Sequence, residues 1–172
     1  MTSEAREVIA RLRLEPLPLE GGFFRQTWRD PAGSAIYFLL TPEIFSAWHR
    51  LRQPEIWHFH AGDAVEHVQL GATGVVRTRL GPDILAGDAA QLAVPAHAWQ
   101  AARSAVKPRA RPDPLERETR DASLEGAGGR GWSLLGCTLA PPWDERSFEL
   151  GERGALLHAF PADAEIIRAL TR

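Results

Sequence analysis

The sequence predicts an all-β fold with flanking helices, a sandwich or barrel of short antiparallel strands. Three observations lead there. From Ser34 to Leu80, apolar and polar residues alternate in short runs (SAIYFLL, FSAWHR, EIWHFH, AVEHVQL, VVRTRL). The runs are broken at Thr41-Pro42, Pro54, Gly62-Asp63 and between Gly71 and Gly74. Two further runs of the same kind follow, QLAVPAHAWQAARS and GWSLLGCTLA. Finally, the chain has 172 residues, of which 44% are hydrophobic and 24% charged. That suffices for one domain with its own core over residues 1–172, and the composition is too ordinary for a disordered or fibrous chain.

Taken in order, Thr2 or Ser3 can cap a short helix in which Val8, Ile9 and Leu12 fall at helical spacing and which ends before Pro16 and Pro18. The chain is then extended through the alternating runs. Residues 105–130 break the pattern, crowded with Pro, Arg and Gly and nearly free of large apolar side chains. Such a stretch adds little core and reads as a flexible insertion or a functional lid. At the C-terminus PADAEIIRALT reads as a helix with Pro161 near its first turn and Ile166, Ile167 and Leu170 on the buried side. No internal repeat is visible.

Charge and cysteine usage narrow the partners. Lys and Arg number 20 against 22 Asp and Glu, a formal charge of -2, which removes the electrostatic footprint of a nucleic-acid binder. The longest apolar run, Ala35 to Leu40, is far too short to span a bilayer, and the opening segment has no signal-peptide core, so no membrane partner and a cytoplasmic location are expected. Cys137, the only cysteine, excludes an intrachain disulfide and a zinc–thiolate cluster.

The stretch FSAWHRLRQPEIWHFHAGD carries the chemistry. His49 precedes a turn around Gln53-Pro54 and Glu55 opens the next strand, so the two sit on neighbouring antiparallel strands and their side chains can meet. A buried carboxylate beside an imidazole is either the start of a metal site or a base with an orienting partner; a satisfied structural pair is the alternative. By strand alternation Trp57 and Phe59 share the face of Glu55 and are expected to line the same cavity. His58 and His60 then fall on the opposite face. His67 and His97 are expected at solvent or at an interface. Arg25, following the Gly21-Gly22 pair, is a candidate to fix a carboxylate or phosphate, with an ordinary surface arginine the alternative. Tyr37, the only tyrosine, offers a general acid or a buried structural hydroxyl. Gln100 offers an amide oxygen and two N–H donors to a polar ligand.

This region resembles the first cupin motif, a His-x-His pair followed by a Glu and then a Gly: His49, Glu55 and Gly62 fall on those positions, and Leu51 stands where the second histidine belongs. VPAHAWQAARS is similar to the second motif, with Pro95 in place and Gln100 where a ligand histidine is usual. Together with LEPLPLEGGFFRQTW, SAIYFLLTP, WSLLGCTLAPPW and AEIIRALT, these segments make the chain resemble the cupin family 5 proteins, a family of unknown function. The resemblance implies a double-stranded β-helix, or jelly roll, commonly a homodimer, with a pocket inside the barrel.

Three functions follow as expectations. The first is small-molecule binding with isomerase- or epimerase-type proton transfer on a sugar-like or keto-acid-like compound. There His49 and Glu55 are catalytic, and Arg25, Tyr37, Trp57, Phe59 and Gln100 bind the ligand. The second is a dioxygenase-like enzyme in which His49, Glu55 and Gln100 hold a divalent metal, the one cofactor entertained. The third is a non-catalytic metabolite-binding module.

Overall fold

The computed structural model describes residues 1–71, 74–106 and 129–172, so the insertion expected at 105–130 lies, apart from its ends, outside the described residues. The elements run α1 (Ser3–Leu12), β1 (Glu15–Pro16), β2 (Phe23–Asp30), β3 (Gly33–Leu40), β4 (Ser46–Leu51), β5 (Glu55–Gly62), β6 (Val65–Gly71) and β7 (Gly74–Leu80). There follow β8 (Gln91–Val94), β9 (Trp99–Ser104), β10 (Ser133–Leu139), β11 (Phe148–Leu150), α2 (Arg153–Ala159) and α3 (Ala164–Ala169). One sheet holds six strands in the order β1-β2-β3-β10-β5-β8, and the other five in the order β11-β4-β9-β6-β7. All the strand pairs are antiparallel. The chain crosses between sheets repeatedly, β4 and β5 lying in different sheets although only a short turn separates them. This is the jelly-roll arrangement of two facing sheets.

Alternation then sorts side chains into three layers. Between the sheets lie Phe38, Leu40, Trp57, Val65, Leu80, Val94, Ala102, Leu135 and Cys137. The outer face of the five-stranded sheet carries Trp48, Val68, Leu70 and Ala101, which α2 and α3 cover with Leu156, Ile166, Ile167 and Leu170. The outer face of the six-stranded sheet carries Leu39 and Trp132, with Tyr37, Ala61 and Leu134 packed partly against α1. Covered on both faces, β4 buries residues of both parities, Ser46, Ala47, Trp48, His49 and Leu51 among them.

The termini behave largely as their sequences predict. Thr2 is the cap of α1, its hydroxyl accepting from the Ala5 amide at 3.1 Å, and Arg13 ends the helix in a left-handed conformation (φ 52°). Near the C-terminus, Pro161 opens a 3₁₀ turn over Pro161–Asp163 that leads into α3, with Ile166 and Ile167 buried. Helix α2 escapes the sequence reading because, at seven residues, it is too short to establish a helical period. The run QLAVPAHAWQAARS is not one strand. It breaks at Pro95, and His97, at φ 65°, turns the chain so that β8 and β9 enter different sheets. Among the described residues, no helix is long and apolar enough to cross a membrane.

Candidate functional site

Between the sheets, where β2 to β5, β10 and β11 meet the loop at 17–20, lies a cavity of about 370 Å³. Its walls are mainly apolar: Leu17, Pro18, Leu19, Phe24, Ile36, Leu51, Cys137, Leu139, Trp143 and Phe148. The polar groups it meets are Glu20, Gln26, Ser34, His49, Glu55 and Glu145. The structure therefore brings His49 and Glu55 to one hollow. The expectation of neighbouring antiparallel strands is corrected: His49 comes from β4 in the five-stranded sheet and Glu55 from β5 in the six-stranded sheet facing it, because the turn between them carries the chain from one sheet to the other.

Each of the two is held by its neighbours. His49 is 2% exposed, its Nδ1–H donates to the Ala47 carbonyl at 2.8 Å, and its ring stacks on Phe148 at a centroid distance of 5.6 Å. A carbonyl only accepts, so the bond fixes the tautomer and leaves Nε2 as the nitrogen with a lone pair. Glu55 is 6% exposed; its Oε2 accepts from Trp57 Nε1 at 3.0 Å and from Gln100 Nε2 at 2.6 Å. Burial pushes its carboxyl above the ordinary range, the His49 imidazole opposing and Glu20 adding to the rise.

Behind Glu55 the network continues inward. Gln100 Oε1 accepts from Trp57 Nε1 and from His67 Nε2, both at 3.0 Å. Because the amide oxygen accepts, His67 is the Nε2–H tautomer, and its Nδ1 is buried without a partner. His67 is fully buried, edge-on to Trp57 at 4.9 Å between ring centroids. Burial drives its pKa down to about 4, the bond to Gln100 pulling it back and the His49 charge lowering it further. The expectation of a solvent or interface histidine at position 67 is thus corrected: Val65 and His67 both face the barrel interior, where Val65 joins the core.

That depressed value makes stability depend on pH. A histidine that stays neutral when folded and ionises when unfolded stabilises the fold fully above about 6.5 and loses that contribution as pH falls toward about 4. The gap is worth roughly 3 kcal/mol. Glu55, with its folded pKa raised, has the opposite sign and gains stability as pH falls, so the two partly offset. The expected result is that urea-derived stability measured from pH 7 to 4 falls more steeply in the wild type than in His67→Gln. Parallel curves would refute the buried neutral imidazole.

Several expected ligand contacts lie elsewhere. Trp57 and Gln100 face inward but do not line the cavity; their polar atoms are consumed by Glu55, His67 and each other, so they support Glu55 instead of touching its ligand. Phe59 also faces inward and packs against the core, but four residues of strand place it roughly 13 Å along β5 from Glu55, beyond the cavity. Arg25 and Tyr37 are paired across β2 and β3 and face the outside of the six-stranded sheet, the guanidinium 5.6 Å from the Tyr37 ring centre. Strand parity is the reason: Phe24 and Gln26 on β2, and Ser34 and Ile36 on β3, are the residues that turn into the cavity. His58 and His60 share that outer face, His58 bonded to Thr138 and Gln91 at 3.0 Å each, in line with the alternation expected of β5.

Glu20 and Cys137 are cavity residues that the sequence reading missed. Glu20 stands before Gly21 and Gly22, both at positive φ (99° and 83°), and a Cβ on Gly22 would lie 2.6 Å from the Phe38 ring. This turn folds the loop onto β4: the Ala47 amide donates to the Glu20 carbonyl at 2.8 Å, and the Ser46 hydroxyl to Glu20 Oε1 at 2.7 Å. The glycine pair was the available signal; it positions the residue before it, not Arg25 after it. The Cys137 thiol is pushed well up by burial and by the charges of Glu55 and Glu20, so it stays protonated and unreactive.

A metal centre built on His49, Glu55 and Gln100 does not fit these residues. The only metal-binding atom of Gln100 already accepts two N–H bonds, and Leu51 supplies no nitrogen. Among the described residues, no three His, Cys, Asp or Glu side chains converge in a way that can hold an ion.

Two facing antiparallel sheets with a pocket between them, a histidine from one sheet and a glutamate from the other at its wall, have the cupin arrangement. The chain belongs to the family described as Cupin superfamily (DUF985), which matches residues 6–151. It is similar to a protein of solved structure from Shewanella oneidensis, with 30% identity, 98% of this chain and 97% of that one covered, and a TM-score of 0.78. It is also similar to a hypothetical protein from Leishmania major at 26% identity, 99% of each chain covered and a TM-score of 0.81. An oxalate decarboxylase from Bacillus subtilis shares the fold alone, at 10% identity and a TM-score of 0.53, over 91% of this chain and 37% of that one. No curated protein matches the sequence.

Proposed function

We propose that the cavity binds a small, largely apolar organic molecule and that His49 moves a proton to or from it, with Glu55 as the carboxylate that balances the resulting imidazolium. The single observation that carries this reading is the hydrogen bond from His49 Nδ1 to the Ala47 carbonyl, which leaves Nε2 as a base at the wall of an apolar hollow. Glu55 is supported for its role by two N–H donors on one oxygen, which hold the carboxyl in place. Of the substrate classes expected from sequence, a polyhydroxylated sugar matches the apolar walls poorly. A keto acid would need a cation that the described lining does not offer.

The test has two stages. A compound found by thermal-shift screening is incubated with the protein in D₂O and followed by proton NMR. Catalysed exchange of a carbon-bound proton, abolished by the cavity-filling Leu139→Trp, is the expected result. Tight binding with no exchange would reduce the protein to a receptor and defeat the catalytic half of the proposal.

A further inference from the structure

The charges around the cavity are one-sided. Glu20, Glu55 and Glu145 line it, and among the described residues no Arg or Lys does, in a chain where the two total 20. The arginines outside its mouth, Arg29 and Arg146, border an open recess beyond Trp143. Both are engaged there, Arg29 donating to the Trp143 carbonyl at 2.8 Å and Arg146 paired with Asp144 at 3.0 Å.

Acidic residues alone would say nothing, but two further features turn them into a site. The first is the hollow itself, walled mainly by apolar side chains and open at the side of Leu19 and Trp143. The second is His49, 2% exposed, which lines the hollow and whose Nε2 has no hydrogen-bond partner among the described residues. A buried group left unpaired at a cavity wall is satisfied by what occupies the cavity. Glu20 is half-buried and Glu55 buried at its wall, while Glu145 is exposed at the rim. An anion there would meet like charge between mainly apolar walls, whereas a protonated amine would gain charge-assisted hydrogen bonds.

Building on the proposed cavity reading, we infer that its ligand is a cationic amine with a compact apolar body, the ammonium lying between Glu20 and Glu55 and the body against Phe24, Ile36, Leu139 and Phe148. Glu20 is the specificity-determining residue. Its Oε1 accepts from the Ser46 hydroxyl, which holds the carboxylate at the wall, and the Gly21-Gly22 turn sets the height of the loop.

The experiment uses three probes with one ring and one chain length but different charge: phenethylamine, 2-phenylethanol and phenylacetate. Calorimetry on the full-length protein at pH 7 is expected to give phenethylamine at least about tenfold tighter than 2-phenylethanol, with phenylacetate weakest. Glu20→Gln, checked for folding by circular dichroism, is expected to cut the amine-to-alcohol ratio by about tenfold. Phenylacetate binding as tightly as the amine, or a ratio unchanged in Glu20→Gln, overturns the inference. Leu139→Trp separates the two levels of the argument. If the alcohol or acid binds in preference and Leu139→Trp abolishes that binding, the cavity stands and only the charge preference falls. If no probe binds at millimolar concentration, both fall.

Discussion

Replacing His49 by alanine is expected to slow catalysed proton exchange by roughly 10²–10⁴-fold, the range a positioned general base contributes, while the protein still folds and binds ligand. The reason lies in how the ring is held. Its Nδ1–H is committed to the Ala47 carbonyl, so the tautomer is decided by the backbone of its own strand and not by solvent. Phe148 stacks on one face of the ring and fixes its rotation. What remains for chemistry is Nε2. His49→Phe keeps the stacking volume and removes the base, and should match alanine in rate while retaining more stability; added imidazole should partly rescue the alanine variant but not the phenylalanine one. An alanine variant within threefold of wild type would remove His49 from the mechanism.

Replacing Trp57 by alanine is expected to cost about 3–5 kcal/mol of stability, the usual penalty for emptying a buried aromatic site. Trp57 is 1% exposed, packed edge-on against Phe38 and His67, and is the shared N–H donor to Glu55 and Gln100. Two effects are combined in that number, and Trp57→Phe separates them. Phenylalanine restores most of the packing but leaves the acceptors of Glu55 and Gln100 one donor short, which is worth about 1–3 kcal/mol. Loss of that donor should also raise the Glu55 carboxyl further, visible as a shift in its carbonyl stretch with pH. Urea denaturation decides the matter: an alanine variant within 1 kcal/mol of wild type would mean that the network does not hold the barrel's interior.

How much of this was legible in the chain depends on the range of the signal. The strands were, because alternation and its breakers are local: Pro54 and Gly62 bracket β5, and Gly71 and Gly74 lie at the β6–β7 turn. That His49 and Glu55 come to one hollow was also legible, although they meet across two facing sheets and not on neighbouring strands. The wall of the cavity was not. Arg25 and Tyr37 carry suggestive side chains, yet a shift of one residue in strand parity sends them to the outer face and turns Gln26 and Ile36 inward. Glu20 reaches the site from a loop, and Cys137 from a strand more than eighty positions beyond Glu55 in sequence.

The sequence by itself determined the antiparallel β fold and the capped first helix, because hydrophobic period and cap chemistry act between residues a few positions apart, and its motifs carried the resemblance that implied the jelly roll. Only the tertiary structure decided that Gln100 and Trp57 stand behind Glu55 instead of beside a ligand, that His67 is buried and neutral, and that three carboxylates share the hollow. Those outcomes depend on which strands face one another across the barrel and on the desolvation that follows. Burial in a shared low-dielectric space is a property of the assembled sheets, with no counterpart in any local stretch of chain.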